Sequence, residues 1–238
     1  MDEQILTLKK WVAESDNIVF FGGAGVSTES GIPDFRSVDG LYNQQWRYPP
    51  ETILSHSFFE NDPEEYYRFH REKLVIEGVK PNRAHLRLAE LEKEGKLRAV
   101  VTQNIDGLHQ AAGSENVLEL HGSILRAYCS RCRRPYPAER MNHGTGVPRC
   151  GCGGVIRPDI VLYEEPLDQD IMRAAIDYIR KAEVLIVGGT SLNVYPAAGL
   201  INYYRGNKLA LVNRGRTPYD SYADLVIHQN IGEVFSQI

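Results

Sequence analysis

Short apolar runs alternate with helix-periodic segments along most of the chain. An unbroken apolar run predicts a buried parallel strand, because a strand covered on both faces has no polar alternation. The predicted strands are 17–21, 97–102, 117–120, 184–187, 209–212 and 223–227. The apolar run is unbroken at 18–21, 184–187 and 209–212, and the other strands are mostly apolar. Apolar residues spaced three or four apart predict helices at 2–15, 82–93 and 168–181, after Pro196, and at 231–236. The alternation predicts an α/β fold: a Rossmann-like parallel sheet with helices on both faces.

Two segments depart from this pattern. Residues 37–81 contain no strong strand, many aromatic side chains and a helix start at Asp62-Pro63, so they predict a helical insertion. Residues 123–156 hold all four cysteines of the chain. We therefore expect a Rossmann-like domain formed by 1–36, 82–122 and 157–238, a helical module at 37–81 and a metal-binding module at 123–156.

The cysteines have the spacing of a zinc site. Cys129 and Cys132 are separated by two residues, and Cys150 and Cys152 follow after 17 residues with one residue between them. Two close pairs joined by a short ribbon are typical of a tetrahedral zinc site, although the second pair is tighter than usual. Four thiolates leave no position for an activated water, so we expect one structural zinc ion and no zinc hydrolase mechanism.

Composition and charge narrow the class of protein. The chain has 238 residues, with 27 basic and 31 acidic side chains and a formal charge of −4. This balance gives no argument for binding nucleic acid or a membrane surface. The first residues are acidic and lack a secretory signature, and clustered cysteines suggest a reducing compartment, so we expect a cytoplasmic protein. The sequence is silent on oligomeric state.

The first predicted strand ends in a glycine-rich loop. Gly23 and Gly25 can form a tight turn and approach a phosphate, as in the GxGxxG fingerprint, but Thr28 occupies the third glycine position. The polar residues Asp34, Phe35 and Arg36 follow. We therefore expect a loop that holds a dinucleotide and then acts on it, and we disfavour an ordinary dehydrogenase.

Polar or glycine clusters also follow three other predicted strands. They lie at 102–109, at His121-Gly122 and at 188–191. Open α/β sheets bind ligands at the carboxyl ends of their strands, where the strand order reverses. These clusters therefore predict one crevice for a dinucleotide.

Four of these stretches, together with the cysteines, resemble the sirtuins. They are GAGVSTESGIPDFR at 23–36, TQNIDGLH at 102–109, HG at 121–122 and GTSLNVYPA at 189–197. The resemblance runs from about residue 15 to the end of the chain and implies an NAD-dependent protein-lysine deacylase. In that family the acyl group passes from lysine to the ribose that carried nicotinamide, which gives free lysine, nicotinamide and O-acyl-ADP-ribose.

The resemblance assigns catalytic roles to four residues. His121 is expected to be the base for a ribose hydroxyl, and Phe35 to shield the reactive ribose face. Asn104 and Asp106 are expected at the ribose and nicotinamide pocket. The structural alternatives are a core or surface histidine for His121 and a turn former before Gly107 for Asp106.

The resemblance also implies a set of NAD contacts. Arg36 could instead form a surface salt bridge, and the motif is weak at Asn230 and Ile231. The expected contacts are Gly23, Ala24, Gly25, Asp34, Phe35, Arg36, Gln103, Asn104, Asp106, Gly189, Thr190, Ser191, Asn213, Asn230 and Ile231.

The substrate side departs from the family pattern. Val161 resembles the residue whose carbonyl accepts the acyl-lysine N–H, and Tyr163, with two glutamates, replaces the commoner Phe-Gly-Glu. An acyl-lysine peptide is expected to add as a strand there. Tyr67 is followed by His70 where sirtuins that prefer acidic acyl groups carry arginine, and Arg71 comes one residue later. We therefore expect a neutral acyl pocket with Tyr67 among its walls.

Two other functions stay open. A protein mono-ADP-ribosyltransferase uses the same activated ribose carbon with another nucleophile. A non-catalytic NAD sensor has no need of a base, so the set of Phe35, Asn104, Asp106 and His121 argues against it.

Overall fold

The computed structural model describes residues 2–35, 40–41 and 46–238. Within them, six parallel strands form a sheet: β1 (Ile18–Gly22), β2 (Leu97–Thr102), β3 (Val117–Glu119), β7 (Val184–Gly188), β8 (Leu209–Val212) and β9 (Leu225–Ile227). Their order in the sheet is β3-β2-β1-β7-β8-β9. The predicted fold class is confirmed.

Helices cover both faces of this sheet. Side chains alternate between the faces along each strand, so Phe20 packs on one side while Val19 and Phe21 pack on the other. The first face holds α1 (Glu3–Glu14), α5 (Arg83–Lys93) and α9 (Ile231–Phe235), and α6 (Leu108–Ala112) packs against α5. The second face holds α8 (Gln169–Lys181) and a 3₁₀ helix at Ala197–Tyr203, which was predicted as an ordinary helix.

A second, smaller unit is formed by the helical insertion and the cysteine module. The insertion contains α2 (Pro50–Ile53), α3 (His56–Asn61), α4 (Pro63–Phe69) and a π-helical turn at His70–Leu74. Its aromatic side chains and the apolar side chains around the cysteines share one core. This common core explains why two segments far apart in sequence form one structural unit.

The small unit contains an antiparallel sheet in the order β5-β4-β6. Its strands are β4 (Gly122–Cys129), β5 (Pro135–Pro137) and β6 (Ile156–Ile160), and α7 (Glu139–Asn142) lies between β5 and β6. The predicted boundary after residue 156 therefore needs a correction. Residues 156–160 pair with β4 in the small sheet, since Cys129 stands opposite Ile156 and Gly122 stands opposite Ile160.

The order of strands places a crevice between β1 and β7. The chain continues from β1 to β2 on one side of this pair and from β7 to β8 on the other. Loops at the carboxyl ends of β1 and β7 therefore diverge and leave a ligand site between them. In the described part of the chain, no helix is long and apolar enough to cross a membrane.

Candidate active site

A cavity of about 860 Å³ lies along the carboxyl ends of the parallel strands and extends under the small unit. Most of the expected site residues line it, whereas Arg36 lies outside the described residues. Those on its wall are Gly23, Ala24, Gly25, Asp34, Phe35, Gln103, Asn104, Asp106, His121, Val161, Tyr163, Gly189, Thr190, Ser191, Asn213, Asn230 and Ile231. The folded chain therefore brings together residues that are up to 208 positions apart, from Gly23 to Ile231.

The glycine loop after β1 packs directly on the loop after β7. The Gly25 amide donates a hydrogen bond to the Gly189 carbonyl at 2.7 Å. A Cβ atom on Gly25 would lie 2.8 Å from the Gly189 Cα, and Gly189 has a φ of +59° with its own Cβ position 2.3 Å from the Val26 nitrogen. Both positions thus require glycine because the two loops pack against each other. Close approach of a phosphate to the backbone would be a second reason for glycine here.

Ser27 joins two of the expected catalytic residues. Its hydroxyl donates to a carboxylate oxygen of Asp106 at 2.7 Å and accepts from the Asn104 amide at 3.1 Å. The second Asp106 oxygen accepts from the Leu108 backbone N–H at 2.9 Å, so this carboxylate also shapes the turn at Gly107. The catalytic expectation and the turn-former alternative are therefore compatible. Sequence reasoning missed Ser27, and its position between Val26 and Thr28 carried no signal for this bridge.

A second polar network joins the loops after β2, β7 and β8. Gln103 donates from its amide to the Thr190 hydroxyl at 3.1 Å. The Asn213 side chain accepts from the Thr190 N–H at 3.0 Å and donates to the Thr190 carbonyl. The Asn213 amide is therefore committed to holding the Thr190 backbone.

His121 is oriented by the backbone beside it. Its Nδ1 lies 2.9 Å from the Gln103 carbonyl, which can only accept, so Nδ1 carries the proton and Nε2 has a free lone pair. Burial lowers the pKa of His121, and the hydrogen bond to Gln103 opposes this shift in part. The ring is thus neutral near pH 7, as a general base must be.

The expected substrate segment adjoins His121. The Val161 N–H donates to the His121 carbonyl at 3.0 Å. Tyr163 is tied to the helical insertion, because its N–H donates to the Leu54 carbonyl at 2.9 Å and its carbonyl accepts from the His56 N–H at 3.0 Å. The segment therefore links the histidine to the small unit.

The two glutamates after Tyr163 fix the turn that follows. Glu164 has a φ of +74°, and its carboxylate accepts from the Ser57 N–H and hydroxyl, both at 2.9 Å, at the start of α3. Burial raises the pKa of Glu165, but hydrogen bonds from Arg157, the Leu162 N–H and His56 outweigh it and lower that pKa to about 2.

Tyr67 is not on the wall of the cavity, which corrects the expectation for this residue. Its side chain is fully buried in the core of the small unit and donates its hydroxyl proton to the Ile156 carbonyl. Helical spacing places it on the face of α4 that packs against the small sheet. His70 is also buried, and Arg71 donates to the Met141 and Gly146 carbonyls at 2.9 and 2.7 Å.

The four cysteines form one cluster with unpaired thiols. All four Sγ atoms lie within 4.8 Å of one another, with 3.5 Å between Cys129 and Cys152 and 3.7 Å between Cys132 and Cys150. Sulfur atoms around zinc stand roughly 3.8 Å apart, from Zn–S bonds of about 2.3 Å in a tetrahedron. The cluster therefore fits a zinc ion, and within the described residues the cysteines lie off the cavity wall.

A Rossmann-like sheet with a histidine at its crevice and a separate four-cysteine zinc module defines a zinc-stabilised, dinucleotide-dependent class of enzyme. The model of the Sir2 family matches residues 23–196. The chain belongs to the Sir2 family.

Curated relatives cover the whole chain. An NAD-dependent protein deacetylase of Clostridium perfringens is 58% identical, over 100% of this chain and 99% of the relative. One from Staphylococcus aureus is 45% identical, over 100% of this chain and 99% of the relative.

Solved structures agree with this assignment. A Sir2 structure with a deacetylated p53 peptide and 3′-O-acetyl ADP ribose has a TM-score of 0.90 at 42% identity, covering 98% of this chain and 96% of its own. Another, with a p53 peptide and NAD⁺, has a TM-score of 0.88 at 42% identity, covering 100% and 97%.

Proposed function

We propose that this protein is an NAD-dependent protein-lysine deacetylase that transfers the acyl group from lysine to ADP-ribose and releases nicotinamide. The observation that carries the proposal is the neutral His121, whose Nδ1 proton is held by Gln103 while Nε2 remains free to accept a proton. The names of the curated relatives support the same activity.

Each residue of the site has a task in this reaction. NAD supplies a ribose carbon that becomes electrophilic when nicotinamide leaves. His121 Nε2 takes the proton of a ribose hydroxyl, and the Asn104–Ser27–Asp106 network orients the ribose and the nicotinamide carboxamide. Phe35 keeps water away from the reactive face, which favours transfer of the acyl group over hydrolysis.

The remaining NAD contacts divide by their position. The backbone of Gly23, Ala24 and Gly25 lies along the pyrophosphate, and Thr190 and Ser191 face it across the crevice. Asn213 shapes the wall by holding Thr190, and Asn230 and Ile231 lie beside the adenine.

The acyl-lysine peptide binds at Val161 and Tyr163, beside His121. The pocket favours a neutral acyl group, because Arg71 is engaged by two backbone carbonyls and His70 is buried. Sir2 structures bound to an acetylated peptide and to a propionylated peptide support this preference.

Zinc has a structural task in this proposal. The four cysteines hold it in the small unit, where it stabilises the sheet that carries residues 122–160. We also propose a cytoplasmic location, which the four unpaired thiols support because such clusters persist in a reducing compartment.

The test is release of nicotinamide from NAD in the presence of an acetyl-lysine peptide. We expect release to require both peptide and NAD, and His121→Ala to bind NAD but lose turnover. Release without peptide, or full activity of His121→Ala, contradicts the proposal. A mono-ADP-ribosyltransferase would instead leave the adenosine half of NAD covalently attached to protein.

A further inference from the structure

The end of the cavity beyond β8 carries two free arginines. Arg214 and Arg216 follow Asn213 at the end of β8, line the cavity and are exposed to solvent. Among the described residues, neither guanidinium has an ion pair or a hydrogen bond, whereas Arg126, Arg157 and Arg173 are each paired. Two unpaired guanidinium groups on a cavity wall are available for an anionic ligand.

The topology shows which part of a dinucleotide reaches these arginines. His121 and the Asp106 network lie beyond β2 and β3, so the nicotinamide end belongs on that side. The glycine loop at β1 and Thr190 after β7 occupy the centre. The end of β8 is three strand spacings from β2, or about 14 Å, so it meets the adenosine ribose.

Carboxylates near this end are already engaged. Glu29 lines the cavity, but its carboxylate accepts from the Gly232 N–H at 2.6 Å. Asp220, in the neighbouring depression that also contacts Arg216, accepts from the Thr217 N–H and hydroxyl and pairs with His228 at 3.3 Å. The residue after β8 is the neutral Asn213, and its amide holds Thr190.

This arrangement is the reverse of an NAD-selective ribose site. Selectivity for NAD commonly rests on a carboxylate that accepts from the ribose 2′-hydroxyl and repels a 2′-phosphate, whereas an arginine accommodates that phosphate. At the end of β8 the carboxylate is absent from the described residues 213–217, and two arginines are present.

We propose that Arg214 and Arg216 form a subsite for a phosphate on the adenosine ribose, so that the site accepts 2′-phosphorylated dinucleotides as well as NAD. The inference rests on the proposed function, since it places the adenosine half of NAD at β8. The ligand class is a dinucleotide or ADP-ribose with a 2′-phosphate, which makes this protein responsive to NADP.

Isothermal titration calorimetry with ADP-ribose and 2′-phospho-ADP-ribose tests the subsite without turnover. We expect the 2′-phosphate form to bind at least as tightly as ADP-ribose, and its Kd to rise more steeply with salt. In Arg214→Ala/Arg216→Ala we expect the Kd of the 2′-phosphate form to rise roughly tenfold more than that of ADP-ribose. Arg180→Ala, an exposed arginine on α8, is the matched control and should change neither Kd.

The outcomes separate this inference from the proposed function. Normal binding of ADP-ribose with at least tenfold weaker binding of the 2′-phosphate form overturns the subsite and leaves the deacetylase proposal standing. An equal loss of affinity for ADP-ribose and for its 2′-phosphate form in the double variant also overturns the subsite. Failure of ADP-ribose and NAD to bind the wild-type protein overturns both.

Discussion

His121 is held by a backbone carbonyl, and among the described residues its ring has no hydrogen bond to an acidic side chain. The Gln103 carbonyl fixes its tautomer, and Gly122 lets the chain turn sharply into β4. Because the Gln103 and His121 loops follow adjacent strands, the sheet itself sets the distance between them. The position of the proposed base is therefore set by the backbone.

In the proposed mechanism, the pH dependence of activity reports the protonation state of His121. Burial lowers its pKa below the usual value of about 6.5, so the base stays deprotonated at neutral pH and is lost only on acidification. We expect kcat/KM for an acetyl-lysine peptide to fall on the acid side, with a midpoint below pH 6.5. His121→Ala should lower kcat about 10²–10⁴-fold and abolish this limb. A midpoint above pH 7 in the wild-type protein would refute the assignment.

Gly122 is required beside the histidine for a steric reason. Its φ is +73°, and a Cβ atom there would lie 2.0 Å from the Asp159 carbonyl oxygen in β6. Gly144 also has a positive φ, of +91°, but faces open space. We expect Gly144→Ala to lower the unfolding free energy by about 1 kcal/mol and Gly122→Ala by about 3 kcal/mol or more. Urea denaturation measures the unfolding free energy of both variants. An equal decrease in the two variants would show that the protein relieves the Gly122 clash at no cost.

At the scale of elements, the turn after Tyr163 depends on the Glu165–Arg157 pair. Arg157 lies on β6 and donates to the Glu165 carboxylate at 2.6 and 2.9 Å. Since the same carboxylate accepts from the Leu162 N–H at 2.9 Å, the ion pair fixes the backbone that follows Val161.

This ion pair should stabilise the fold in a defined pH range. The pKa of Glu165 is lowered from 4.5 to about 2 in the folded protein, so its contribution is complete above pH 4.5 and is lost as the pH falls towards 2. Between pH 5 and pH 3, the unfolding free energy of the wild type should fall by about 2 kcal/mol more than that of Glu165→Gln. Glu60→Gln, an exposed change on α3, is the control and should keep the wild-type slope. Equal slopes for Glu165→Gln and the wild type would contradict the role of the pair.

The fold of the zinc module should depend on its bound metal. Loss of the metal should affect catalysis only by disturbing that fold. We expect one zinc per chain, and we expect chelation to remove hydrogen-exchange protection from residues 123–156 while α8 keeps its own. Activity should fall because β4 and β6 join the cysteines to His121 and Val161. Full activity with an intact fold after complete metal loss would show that zinc is dispensable.

The sequence predicted the positions of helices and strands better than it predicted which of them pack together. Unbroken apolar runs predict buried strands such as Val184–Gly188, and the cysteine spacing predicts the metal module. The pairing of Ile156–Ile160 with β4 depends on contacts across the small sheet, which no local pattern encodes. Tyr67 was misplaced for the same reason, because all three aromatic residues of α4 are buried in the core of the small unit and only the packing shows that none of them lines the cavity.

At the scale of the whole molecule, one cavity connects the nucleotide crevice to the small unit. Residues from both parts line it, with Gly23 and Thr190 from the parallel sheet and Leu74 and Glu139 from the small unit. In the proposed function, an acyl-lysine substrate and NAD therefore meet beside His121 from opposite ends of this cavity. This common cavity distinguishes the molecule from a Rossmann domain that only binds a nucleotide.

The fate of the adenosine half of NAD distinguishes deacetylation from the alternative reactions. The protein is incubated with an acetyl-lysine peptide and NAD labelled in its adenine, and nicotinamide, deacetylated peptide and labelled products are counted. We expect one nicotinamide and one free lysine for each labelled O-acetyl-ADP-ribose, with the label in the small-molecule fraction. Label bound to protein, or nicotinamide released without deacetylation, would contradict it.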